Sequence, residues 1–157
     1  RSCPPPQAGR AATQTGANNF GCLVNGKAFL PYTNCSFICD PPLQFTYNPE
    51  DLGQFAVQVE NSVFKSTIIF GLDSVITAGR FNYSQNNNKS VRFSYSPNNN
   101  VSDLSTIIDS QVSATGYVDI IKFDLLQGII SGTFKFTLSK TGCETINITN
   151  GRFDAKF

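Results

Sequence analysis

The chain has 157 residues, only 15% of them charged, and a net charge of +1. That length suits one domain around one hydrophobic core, and the singly scattered Lys and Arg give no electrostatic reason to expect nucleic acid as a partner. No stretch approaches the ~20 consecutive apolar residues that span a bilayer, so no transmembrane segment is expected. Polarity comes from Asn, Ser, Thr and Gln, and no Met or His is present. That balance suits a secreted protein, extracellular or on the outer cell surface, whose export signal has been removed.

Residues 1–18 hold Pro4, Pro5 and Pro6, then a mixture of small residues without apolar period. The prolines favour an extended polyproline conformation, so this segment reads as an extended N-terminal arm. Residues 19–157 read as a single antiparallel β domain.

In FGCLVNGKAFL, two short apolar runs flank Asn25-Gly26, a dipeptide suited to the positive φ values of a type I′ hairpin turn. Residues 31–42, with three prolines and a short cysteine loop, form a connection. LQFTYN then alternates with Leu43, Phe45 and Tyr47 on one face, and QFAVQVEN does the same with Phe55, Val57 and Val59. This period of two marks half-buried antiparallel strands. Pro49 to Gly53 reads as a helical turn. Phe64 to Leu72 is another strand, with an apolar centre.

Arg80 to Ser84 and Val91 to Tyr95 alternate on either side of an Asn-rich loop and read as a second hairpin. Thr115 to Leu125 and Ile129 to Leu138 flank Gln127-Gly128 as a third. Thr145 to Thr149 and Gly151 to Phe157 read as two strands joined at Asn150-Gly151. Many short strands separated by turn signals, with no sustained helical period, predict an all-β fold. An antiparallel β-sandwich is expected, with a β-barrel as the alternative.

Five cysteines, at 3, 22, 35, 39 and 143, lack the paired spacing of a zinc ribbon, and no His completes a site. In an oxidising compartment Cys35 pairs with Cys39, and Cys22 with Cys143. A loop of roughly 120 residues closed in this way stabilises by about 4 to 5 kcal/mol, against about 2 for the small one. Cys3 is left over, as an intermolecular link. The competing reading is that all five are reduced.

Without His, the usual triads are absent. Paired carboxylates could still act as acid and base, but Asp119 and Asp124 are five positions apart on one strand, which places them on opposite faces, and Glu50-Asp51 sit in a turn. Solvated surface carboxylates are the commoner outcome. No loop has the alternating acidic spacing of a calcium site. The 14 Phe and 5 Tyr fall mostly on alternating strand positions, so core packing is their default role rather than carbohydrate platforms. The glycosylation triplets at Asn82 and Asn147 are easily produced by chance in so Asn-rich a chain. No catalytic residue, metal ligand or cofactor is expected.

ATQTGANNFGCLVNGKAFLP near the start and ISGTFKFTLSKTGCETINITNGRFDAKF at the end resemble a Bacteroidetes family of secreted lipoproteins whose function is not assigned. The matching motifs span about 48 residues. The resemblance implies export and a surface location, and it raises lipidation of Cys3. Arg1 and Ser2 depart from that pattern, since a lipidated cysteine would head the mature chain.

The expected function is non-enzymatic: a self-associating structural subunit of a surface fibre, in which the arm contacts a neighbouring copy. The alternative is a monomeric cell-surface lipoprotein or a binding module for a glycan or small ligand. A carboxylate hydrolase would need two acids converging in a pocket.

Overall fold

The computed structural model describes residues 13–35, 38–84, 90–97 and 104–157. The chain lays β1 (Asn19–Val24) and β2 (Lys27–Phe29) in one sheet, then crosses to a second for β3 (Leu43–Asn48), β4 (Gln54–Asn61) and β5 (Ser66–Leu72). It returns to the first sheet for β6 (Gly79–Asn82) and recrosses for β7 (Val91–Pro97) and β8 (Leu104–Ser105). It finishes in the first with β9 (Ser113–Asp124), β10 (Ile129–Ser139) and β11 (Ile146–Lys156). The orders are β2-β1-β11-β10-β9-β6 and β3-β4-β5-β7-β8, and every ladder is antiparallel. The two sheets pack face to face without closing, so the architecture is a β-sandwich and not a barrel.

The alternating strands bury the face their pattern indicates. Phe55, Val57 and Val59 of β4, and Ile68, Phe70 and Leu72 of β5, have no exposed surface. Phenylalanines join the sheets: Phe93 of β7 stacks on Phe136 of β10 with centroids 4.2 Å apart, and Phe70 of β5 meets Phe134 of β10 at 4.9 Å and Phe153 of β11 at 5.6 Å. Rings this close prefer tilted or offset geometries and add to the benefit of their burial. Most of the aromatic residues are therefore core, as their alternation indicates.

Several local readings need correction. Arg80–Ser84 and Val91–Tyr95 are not a hairpin, because β6 pairs with β9 and β7 pairs with β5 in the opposite sheet. Alternation gives each strand its inner face but carries no information on which strand lies beside it. Asn150-Gly151 is not a turn. β11 runs through it, with Asn150 at φ 52°, as a bulge that shifts the register against both β1 and β10. A second bulge near Ile121 of β9 inserts a residue between Asp119 and Asp124. Both aspartates consequently face outward from the same side of the sheet. Pro49 to Gly53 is a turn, with Leu52 at φ 52° and Gly53 at φ 69°, and not a helical one.

Candidate functional site

At one end of the sandwich the inner faces of the sheets part around a cavity of about 530 Å³. One wall is the β1–β2 hairpin, whose turn residues Asn25 and Gly26 have φ values of 47° and 80°, as a type I′ turn requires. The Asn25 side chain fastens this turn to the start of β11: its Oδ1 accepts from the Asn147 N–H at 2.7 Å, and its Nδ2 donates to Glu144 Oε1 at 3.0 Å. The backbone N–H of Asn25 donates to the Asn147 carbonyl at 2.8 Å. The facing wall comes from the ends of β5, β7 and β8.

Phe29, Leu104 and Ile146, all buried, make the lining largely apolar. Among them is Ser66, on the inner face of β5 in line with Ile68 and Phe70. Its hydroxyl is buried and, among the described residues, has no hydrogen-bond partner. A buried hydroxyl without a partner costs about 1 to 3 kcal/mol. At the mouth, Lys27 is exposed and outside every ion pair among the described residues, whereas Glu144 is engaged by Asn25.

A second polar feature lies on the outer face of the six-stranded sheet. Asp154 of β11 has no exposed surface, because residues 13–17 fold over it. Its carboxylate accepts from Thr13 Oγ1 at 2.7 Å and from the backbone N–H groups of Thr15, Gly16 and Ala17 at 3.0, 2.8 and 3.1 Å. Burial alone would push this carboxyl up, but the four donors outweigh it and hold the group below the usual carboxylate range. Lys122 Nζ adds a bond to the Gln14 carbonyl at 3.2 Å, and the Lys156 N–H donates to Asn18 Oδ1 at 2.8 Å. Residues 13–18, expected as part of an extended arm, are thus fastened to the domain of their own chain.

The chain matches no family model, no curated protein and no solved structure. Its chemistry has to be read from its own side chains.

In register across three strands lie Lys122, Ser131 and Asp154, a set that could serve nucleophilic catalysis if open. It is not open: Ser131 is buried, Asp154 is enclosed by the segment above it, and Lys122 is bonded to that segment. Asp119, Asp124 and Asp109 are also occupied. Asp119 receives both Arg80 Nε at 2.7 Å and a terminal nitrogen of Arg80 at 2.6 Å, and this guanidinium lies 4.1 Å from the centroid of Tyr117. Asp124 Oδ1 accepts from the Gln127 N–H at 3.0 Å, shaping the β9–β10 turn. Asp109 pairs with Lys140 at 2.7 Å, and this hydrogen bond lowers the carboxyl and raises the ammonium. Glu50 and Asp51 lie in an exposed turn around Asn48. Among the described residues no three of Cys, Asp and Glu come together as metal ligands, and no helix is long and apolar enough to cross a membrane.

Cys35 and Cys39 are bridged, with Cα atoms 6.3 Å apart. The expected Cys22–Cys143 bridge is not formed. Cys22 points inward from β1, and burial pushes its thiol up to about 12, so it stays protonated and is a poor nucleophile. Cys143 sits in the turn after β10, where its N–H donates to the Lys140 carbonyl at 3.0 Å. Cys3, Pro4, Pro5 and Pro6 lie outside the described residues.

Sequence reading missed Ser66, Lys27 and Asp154. Ser66 had a signal, since it is the one hydroxyl in an inner register otherwise held by Ile68, Phe70 and Leu72. Asp154 had none: alternation places it outward, and only the return of residues 13–17 encloses it.

Proposed function

We propose that this chain is a non-enzymatic, extracellular structural subunit that self-associates by adding a strand at the edge of β3, the strand being supplied by residues 1–12 of a neighbouring copy. The observation that carries this reading is the character of that edge. The other edge strands are short, with three residues in β2, four in β6 and two in β8. β3 has six residues, without a bulge and without a charged side chain.

The hydrogen-bond phase of β3 also favours addition. The Pro42 carbonyl accepts from the Glu60 N–H at 2.7 Å, and the register continues as Leu43↔Val59. In an antiparallel ladder bonded and non-bonded pairs alternate, so Leu43, Phe45 and Tyr47 direct their N–H and C=O groups away from β4. Such a row is a template for another chain. A groove of about 530 Å³ runs beside it, walled in part by Asn18 and Lys156. The Cys35–Cys39 bridge supports an oxidising location. Export is also what the resemblance to the Bacteroidetes lipoproteins implies, and the segments carrying it include β1, β2, β10 and β11, which are adjacent in one sheet.

Gln44 and Thr46 expose their side chains on β3, so replacing both with Lys charges the edge without touching the core. Sedimentation velocity and electron microscopy of the full chain should show multimers that the double variant Gln44→Lys/Thr46→Lys loses while keeping its circular dichroism. Cys3→Ser should remove covalent multimers on non-reducing gels and leave the fold intact. A wild-type chain that remains monomeric, reduced or oxidised, sinks the reading.

A further inference from the structure

We infer that the β3 edge takes the N-terminal segment of a neighbouring copy in one orientation: residues 7–12 pair antiparallel with β3, and Pro4, Pro5 and Pro6 seat on the aromatic surface beyond its last residue. The inference rests on the self-association proposed above and adds to it a direction, a register and partner residues.

The direction follows from the prolines. Three consecutive prolines have no N–H to donate, so they do not suit the row of backbone groups that β3 presents. The proline-free run Gln7–Ala12 has six residues, as β3 has, and the prolines then overhang one end. Past Asn48 they meet the Tyr47 ring, whose centroid lies 4.5 Å from that of the exposed Phe157 and 5.6 Å from that of Phe123. The Tyr47 hydroxyl donates to the Val75 carbonyl at 3.0 Å, which holds this surface in place before any partner arrives. On the other side of Leu43 the groove is walled by Asp40, Pro41 and Pro42, with no ring among them. Extended proline runs dock on aromatic surfaces, so the antiparallel direction is favoured.

The register follows from Arg10. Gln7, Gly9 and Ala11 set opposite Tyr47, Phe45 and Leu43 donate to the outward-directed carbonyls of β3 and lay small side chains against half-buried Phe45 and Leu43. Arg10 then turns to the outer face beside Gln44. A shift of one residue would drive Arg10 inward against Lys156, the base in the groove wall. The charge distribution agrees. Residues 1–39 hold Arg1, Arg10 and Lys27 and no acid, whereas residues 40–64 hold Asp40, Glu50, Asp51 and Glu60 and no base. Glu50 and Asp51 are exposed in the turn after β3, the end to which the antiparallel segment brings Arg1, and Glu60 lies on the face to which Arg10 turns. None of these four acids forms an ion pair among the described residues, and together they outnumber Lys156.

The test adds one thiol to the full chain at either end of β3, in Glu50→Cys and Asp40→Cys, both at exposed positions, with oxidised glutathione as the oxidant. Equal mixtures of isotopically light and heavy chains, digested and read by mass spectrometry, map each bridge to its two residues and separate links between copies from links within one. Cys3 of one copy should bridge to the new thiol of Glu50→Cys in another, and not to that of Asp40→Cys. Without added thiols, Pro4→Ser/Pro5→Ser/Pro6→Ser should raise the dissociation constant of the multimers about tenfold in sedimentation velocity. Glu50→Gln/Asp51→Asn should raise it about fivefold at low salt and much less at high salt. Bridging at Asp40→Cys in place of Glu50→Cys overturns the proposal. So do multimers that Gln44→Lys/Thr46→Lys disperses but that neither bridge at Glu50→Cys nor respond to the proline and charge substitutions; strand addition at β3 then stands without this orientation. A wild-type chain that forms no multimers removes both.

Discussion

Two Asn-Gly dipeptides occur in the regions that build this sandwich, and they do opposite things. At Asn25-Gly26 both residues adopt positive φ and reverse the chain between β1 and β2. At Asn150-Gly151 only Asn150 does so, at φ 52°, and β11 continues through a bulge. The surroundings separate the two outcomes. A Cβ on Gly26 would meet nothing within 4 Å, whereas one on Gly151 would lie 2.5 Å from the Phe134 ring. The first glycine is needed for its backbone conformation, and the second because an aromatic ring of the core rests on it. A dipeptide that makes a turn at a sheet edge makes a register shift when neighbours pair with it on both sides.

Substitutions can break this contrast. The largest effect is expected for Gly151→Ala, which forces Phe134 out of a packed core; overpacking of this kind should cost about 3 kcal/mol, read as a lower urea midpoint with unchanged slope. Asn25→Ala should cost about 1 to 2 kcal/mol, since it removes the side-chain bonds to Asn147 and Glu144 and leaves a β-carbon in the left-handed region. It should also disturb amide resonances around the end cavity. Gly26→Ala should cost only about 1 kcal/mol, because its penalty is conformational and space is open. If Gly26→Ala proves as damaging as Gly151→Ala, the distinction between backbone and packing requirements is wrong.

The smallest effect on global stability is expected from acid, and it acts at the far end of β11. The Asp154 carboxyl is held below its ordinary range in the folded chain. Its contribution is therefore complete above the unfolded carboxylate value of about 3.9 and is lost as pH falls through the lower folded value. Residues 13–17 should accordingly remain clasped at pH 5 and release only well below about pH 4. Amide exchange at Thr15, Gly16 and Ala17 should report the release, and release near neutral pH would contradict the sign of the shift.

The legible parts of the molecule are those governed by one strand at a time. β4 and β5 could be read because successive side chains alternate between solvent and core, and the β9–β10 hairpin because Gly128, at φ 66°, supplies the reversal between two strong strands. The β6–β7 pairing was misread because an exposed alternating strand fits either sheet equally well. Asp119 and Asp124 were assigned to opposite faces by counting residues, which fails wherever a bulge adds one. The cavity was legible only in part: Ser66 stands out in its inner register, but Lys27, Glu144 and Leu104 come from strands and turns far apart in the chain.

Local chemistry was enough to establish an all-β fold, the inner faces of its strands, the Asn25-Gly26 turn and the short Cys35–Cys39 loop. These depend on period-two burial, on dihedral preference and on a separation of four residues. The partners of β6 and β7, the bulges, the unbridged Cys22 and the enclosure of Asp154 depend instead on which distant segments meet. Asp154 and Thr13 are 141 residues apart, and nothing in either one's neighbourhood specifies the other. Their bond exists because the pairing of β1 with β11, which sets Asn19 opposite Asp154, brings the end of β11 beneath residues 13–17.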